Sequence, residues 1–129
     1  METGEVFEQQ HNVYENEDFL VVLDSYPRAF GHTIVVFKPH REDMSELAPK
    51  EASALFRFCV RVVNAIKQAL RAKKVYMVTM CDGWINHLHV QFLPRYPGEP
   101  IGSRRLVAPR VPLVDGDALA NRIRAAFRD

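Results

Sequence analysis

The stretch His87-Leu88-His89-Val90-Gln91-Phe92-Leu93 concentrates side chains able to do chemistry. Imidazole works near neutral pH as nucleophile, acid, base or metal ligand. In a strand, alternate side chains point to opposite faces. Residues 87–93, read as a strand, therefore put His87, His89 and Gln91 on one face and Leu88, Val90 and Phe92 on the other. Two imidazoles and an amide in a row are costly to bury without partners. Three readings are open on these residues alone. The first is a solvent-facing strand with incidental histidines. The second is a metal site, because His-x-His on a strand is a common ligand spacing, with His32, His40 or Cys81 as third ligand. The third is a nucleophilic histidine flanked by polar helpers.

The elements that must position this stretch follow from apolar pattern. Residues 13–15 and 19–23 read as two strands joined by a tight turn at Asn16 and Glu17. Residues 24–30 form a connection, and the β-branched run 33–37 is a third strand that ends at Pro39, which has no N–H to donate. Pro49 opens the strongest helical signal, with Leu55, Cys59, Val62, Val63, Ile66 and Leu70 in one stripe. Ala48 before it is a poor cap, so this helix start lacks the usual side-chain partner. Residues 75–80 read as a strand, 81–86 as a short turn around Gly83, and 87–93 as a strand stopped by Pro94. The proline-rich segment 96–114 is expected to be irregular. Residues 115–128 read as a closing helix with Leu119, Ile123 and Phe127 on one face. One long helix among several strands with short connections predicts an α+β architecture: an antiparallel sheet of about five strands, one long helix packed on it, and a short C-terminal helix.

The chain has 129 residues, which suits one domain over 1–129, with 1–12 as a loose arm. Apolar residues make up 47% and charged residues 26%, ordinary for a globular protein and contrary to disorder. A net charge of +1 implies no general attraction to nucleic acid or to an anionic membrane, and neither is expected as a partner. Arginine is uneven: beyond Arg95 the chain carries it without lysine, and Arg104, Arg105 and Arg110 are candidate phosphate contacts. Cys59 and Cys81 sit in apolar stretches and read as small buried hydrophobes rather than as a disulfide framework. Residues 1–10 lack the apolar run of a signal peptide, and no stretch is long and apolar enough to span a bilayer, which points to the cytoplasm.

The segment His87-Leu88-His89-Val90-Gln91-Phe92-Leu93-Pro94-Arg95 resembles the signature of the histidine-triad (HIT) superfamily, His–apolar–His–apolar–His followed by apolar residues and often Pro-Arg. Upstream, Gly31-His32-Thr33-Ile34-Val35-Val36-Phe37-Lys38-Pro39-His40 resembles a second family stretch, and residues 44–51 resemble the entry to its long helix. The similarity runs from about Val13 to Arg95. The resemblance implies His89 as the nucleophile that attacks a nucleotide α-phosphorus and forms a transient nucleotidyl-histidine. It implies His87 and His32 as helpers of that site, and Asp24, eight residues before His32, as acceptor for ribose hydroxyls. His40 and Lys38 match the second stretch as well, and are read as structural rather than catalytic.

Two departures from the pattern qualify this. Gln91 stands where the commonest branch has a third histidine; it can hold phosphate oxygens but cannot act as a general acid. A glutamine there resembles the nucleotidyltransferase branches, such as galactose-1-phosphate uridylyltransferase. The turn before the motif is also short, with Asn86 as the available donor, and Trp84 either stacking on a base or capping the core or a dimer contact. The expected activity is cleavage or transfer of a nucleotidyl group, on dinucleoside polyphosphates or nucleoside phosphoramidates. The expected ligand is a purine nucleotide or dinucleoside polyphosphate, with no required cofactor beyond Mg accompanying a polyphosphate, and the expected assembly is a homodimer. A low-turnover nucleotide-binding module and a metalloprotein built on His87 and His89 are the alternatives.

Overall fold

In the computed structural model, residues 11–80 and 86–127 are described. Among them, β1 (Asn12–Glu15), β2 (Phe19–Leu23), β3 (Thr33–Phe37), β4 (Lys74–Val78) and β5 (His89–Arg95) pair in the order β1-β2-β3-β5-β4, and every pairing is antiparallel. Helix α1 (Pro49–Leu70) crosses from β3 to β4. The short α2 (Ser103–Leu106) and α3 (Gly116–Ala125) follow β5. This is the expected α+β arrangement.

The sheet has two unlike faces because each strand alternates. Val21 pairs with Val35, Val35 with Val90 and Thr33 with Phe92, which lines up one face across β2, β3 and β5. The apolar stripe of α1 covers that face: Leu55, Cys59, Val62, Ile66 and Leu70 are buried with Leu88, Val90 and Phe92. Each such large side chain contributes about 1.5–3 kcal/mol on leaving water. Leu119 and Ile123 of α3 join the same core, and Phe127 stacks on Tyr14 at 4.6 Å between ring centroids. Burial pushes the Cys59 thiol up to about 12, so it behaves as the expected inert hydrophobe.

The ends of the elements have local causes. Asn16 Oδ1 accepts from the N–H groups of Asp18 and Phe19, closing the β1–β2 turn. At the start of α1 the partner that Ala48 lacks comes from three residues on: Glu51 Oε1 accepts from the Ala48 N–H at 2.9 Å. Glu51 also pairs with Arg41 at 2.5 Å. Arg71 ends α1 in a left-handed conformation, φ 60°.

Several boundaries differ from the sequence reading. The strand expected at 87–93 is β5, His89–Arg95, so His87 precedes it and Pro94 lies inside it. Pairing with β3 ends at Phe92, so the N–H that Pro94 lacks costs no bond on that side. The strand expected at 75–80 is Lys74–Val78. The segment 96–114 is not wholly irregular, because it contains α2. The supposed loose arm is ordered from its last residues: Asn12 opens β1, and His11 bonds Asp117 at 2.6 Å. Residues 1–10, Cys81, Asp82, Gly83, Trp84 and Ile85 lie outside the described residues, and so do the expectations placed on them. No helix among the described residues is long and apolar enough to cross a membrane.

Candidate active site

His89 opens β5 opposite Val36, on the sheet face away from α1, and Gln91 follows on the same face opposite Ile34. Val22, Ile34 and Val36 form an apolar floor beside them, with Leu20 packed against it. His89 is 6% exposed. Its Nδ1 lies 2.8 Å from the His87 carbonyl oxygen. A carbonyl can only accept, so Nδ1 carries the proton, and in the neutral ring the lone pair is on Nε2. The His89 carbonyl in turn accepts from Thr79 Oγ1 at 2.8 Å, which ties the start of β5 to the chain just beyond β4.

His87 is buried outside the strand. Its Nε2 donates to the Phe37 carbonyl at 2.6 Å, and its Nδ1 faces His40 Nδ1 at 3.3 Å. The ring therefore anchors the backbone whose carbonyl orients His89. Both its nitrogens are engaged by protein groups, so a metal site with His87 and His89 as paired ligands is not the arrangement seen. Among the described residues, no group of three or more His, Cys, Asp or Glu side chains is placed to hold a metal ion. The same backbone is tied to the helix entry: the Leu88 N–H donates to the Arg41 carbonyl at 2.7 Å, and Arg41 is the partner of Glu51.

His32 reaches Gln91 across the sheet. It is 1% exposed. The N–H of Arg28 donates to His32 Nδ1 at 3.1 Å, so the ring proton is on Nε2, which donates to Gln91 Oε1 at 2.8 Å. Burial is the largest influence on His32 and lowers its pKa, and Arg110 and Arg28 push the same way; Asp24 and the Gln91 bond oppose them. The neutral ring is thus a fixed donor. Because it occupies the amide oxygen of Gln91, the amide N–H₂ is the part of that side chain left to turn to a ligand. His32 itself is set by Gly31, at φ 88°, and by two backbone bonds that close the loop: Asp24 N–H to His32 O and His32 N–H to Ala29 O, each 3.0 Å.

Asp24 is also drawn in. Its Oδ1 accepts from the Tyr26 N–H at 2.9 Å, its Oδ2 from Arg110 Nη1 at 3.1 Å, and Oδ2 stands 3.6 Å from His32 Nε2. Asn86 lies exposed at the approach to β5. His89 with His87, and Gln91 with His32 and Asp24, therefore form two bonded groups brought side by side by the shared face of β5, while Asn86 sits at their margin. His40 touches the first group through His87, and Lys38 pairs with Glu15 at 2.5 Å, away from both.

The three tail arginines separate. Arg105 is buried and committed inside, to Glu99 at 3.1 Å and to the Arg28 carbonyl, so it is not the phosphate contact that the sequence suggested. Arg104 is exposed. Arg110 holds Asp24 and lines a cleft of about 440 Å³ that begins at Gln91 and also includes Arg28, Val78, Leu93 and Val107. Arg28 and Thr79 are residues the sequence reading missed.

The family model described as HIT domain matches residues 7–98. A HIT-like protein of Methanocaldococcus jannaschii is 33% identical over 92 residues, 67% of this chain and 70% of that protein. A crystal structure of a hypothetical histidine triad nucleotide-binding protein from Sulfolobus tokodaii superposes with TM-score 0.77 at 29% identity, over 91% of this chain and 83% of that one. A uridylyltransferase structure shares the fold, with TM-score 0.71 at 20% identity, over 96% of this chain and 44% of that one.

Proposed function

The chain belongs to the HIT domain family, and from that membership and the site's geometry we propose that it is a nucleotide-binding enzyme that cleaves or transfers a nucleotidyl group through a covalent adduct on His89. The observation that carries this is the bond from His89 Nδ1 to the His87 carbonyl, which selects the tautomer with its lone pair on Nε2. Nε2 attacks the α-phosphorus, an N–P bond forms, and the P–O bond to the leaving group breaks. A phosphate oxygen, or water that gives up a proton to solvent, then attacks the same phosphorus, and the electron pair of the N–P bond returns to Nε2. The Gln91 N–H₂ donates to the equatorial phosphate oxygens as charge builds on them.

The same residue sets the leaving group. Gln91 has no proton to release at neutral pH. The site therefore favours a leaving group stable as an anion, a phosphate or nucleotide, over an amine that must be protonated as it departs. Dinucleoside polyphosphates fit this better than nucleoside phosphoramidates. The ligand is a purine nucleotide in this reading, by likeness to family members that include one described as nucleotide-binding. Asp24 accepts from the ribose; a carboxylate has about four acceptor sites, so the bonds to Tyr26 and Arg110 leave room for it. The proposed chemistry calls for no protein-bound cofactor, and a divalent ion such as Mg enters with the polyphosphate.

A homodimer is part of this proposal. β4 is an edge strand of the sheet, and Phe56, Val60 and Met77 leave exposed apolar surface on α1 and that edge. The test of activity is incubation of the purified chain with a dinucleoside polyphosphate and with a nucleoside phosphoramidate, each with and without inorganic phosphate. Cleavage of the polyphosphate, lost in His89→Ala, supports the proposal; binding with the same negligible turnover in both proteins supports a binding module instead.

A further inference from the structure

The cleft beside Gln91 is lined on one side by sheet residues and on the other by the chain after β5. That chain is fastened along the loop before His32. Val111 N–H donates to Pro27 O at 3.1 Å and Leu113 N–H to Ser25 O at 2.9 Å. Arg28 Nη1 donates to Ala108 O at 2.8 Å, and Arg110 Nη1 to Tyr26 O at 2.7 Å.

The polar lining of the cleft is one-sided. Arg28, Arg110 and Gln91 face it, with Ser103 as the remaining polar side chain, and no carboxylate lines it among the described residues. Arg110 is neutralised by Asp24. Arg28 makes no ion pair among the described residues; its guanidinium bonds only a carbonyl, through Nη1. The hydrogen bonds of Arg110 likewise all leave from Nη1. A guanidinium has five N–H donors, so both arginines keep donors for a ligand. The Arg28 N–H bonds His32 Nδ1, and Arg110 bonds Asp24 Oδ2, which lies 3.6 Å from His32 Nε2, so both residues stand close to the Gln91 end of the cleft. One uncompensated cation, a second guanidinium and an outward amide suit a phosphate oxyanion.

We infer that this cleft is the subsite for the phosphate group that leaves the α-phosphorus and for the phosphate that later replaces it, with Arg28 and Arg110 as its anion contacts. The assignment rests on the covalent reading of His89. In a double displacement the acceptor enters from the side that the leaving group vacated, so one site serves both. In the first step the P–O bond breaks and its electron pair stays on the departing phosphate oxygen. In the second an inorganic phosphate oxygen bonds to phosphorus and the N–P pair returns to His89. Neither step needs a proton from Gln91.

Binding of pyrophosphate and of inorganic phosphate to the whole chain, followed by calorimetry or NMR, tests the subsite without requiring turnover. Val107 lines the cleft and is 73% exposed, so a carboxylate can be introduced there with little risk to the fold. Val107→Glu is expected to weaken both anions by roughly tenfold, as like charge does, and Val107→Gln by less than about twofold. Arg28→Gln is expected to match Val107→Glu. Absence of anion binding by the wild type, or equal binding by the Glu and Gln variants, overturns the assignment. Formation of a nucleotide adduct tests His89 separately: an adduct without anion binding removes only the subsite, whereas anion binding without an adduct removes the covalent mechanism and with it the leaving-group and acceptor roles of the cleft.

Discussion

His32 and Gln91 are joined at 2.8 Å, from Nε2 to Oε1, and the backbone N–H of Arg28 at the other ring nitrogen fixes the direction of that bond. A buried neutral histidine thereby decides which end of the glutamine faces a phosphate. Gln91→His replaces the amide with a side chain that can carry a proton to a leaving group. It is expected to raise hydrolysis relative to phosphate transfer by roughly tenfold or more, and to let amine leaving groups depart. Product ratios with and without inorganic phosphate check this; an unchanged ratio removes the argument from Gln91.

The same histidine makes stability depend on pH. Burial lowers the folded-state pKa of His32 below its ordinary 6.5. Between the lowered folded value and 6.5 the unfolded chain binds more protons at this site than the folded one, so stability rises with pH. The contribution is complete above 6.5 and is lost as pH falls from there toward the folded value. Urea unfolding at a series of pH values from mildly acidic to neutral is expected to show this slope in the wild type, reduced by up to one bound proton in His32→Gln. Equal slopes contradict the assigned burial.

Gly31 holds the backbone that delivers His32. Its φ of 88° is poorly tolerated by any residue with a Cβ, and a Cβ placed there meets Leu70 Cδ1. Gly31→Ala is expected to cost about 2–4 kcal/mol, combining backbone strain with overpacking. Chemical denaturation measures it, and a loss under about 1 kcal/mol contradicts the packing described.

The sheet and α1 were legible because each repeats an apolar period over many residues. The site was legible in part for the same reason: alternation along β5 put His89 and Gln91 together, and the register with β3 kept them there. His87 broke the pattern because its neighbours bond elsewhere: Leu88 N–H turns to Arg41 O, and the ring itself to Phe37 O. Those partners lie some 50 residues away in sequence, by the His87–Phe37 separation, and nothing local encodes them. The α2 turn is only 4 residues, too short to show a period. Arg105 and Arg110 looked equivalent in sequence, and only the path of the chain after β5 gave one to Glu99 and the other to Asp24. Arg28 carried no visible signal because it serves His32 through its backbone.

The proposed mechanism requires a bond between His89 Nε2 and phosphorus. Rapid quench of the protein with a dinucleoside polyphosphate, followed by peptide mass spectrometry, reads this directly. The expected result is one nucleotidyl group on the peptide that contains His89, absent in His89→Ala, whose turnover falls by about 10⁴-fold or more. Consumption of substrate with no adduct on that peptide, or undiminished turnover in His89→Ala, would contradict the mechanism.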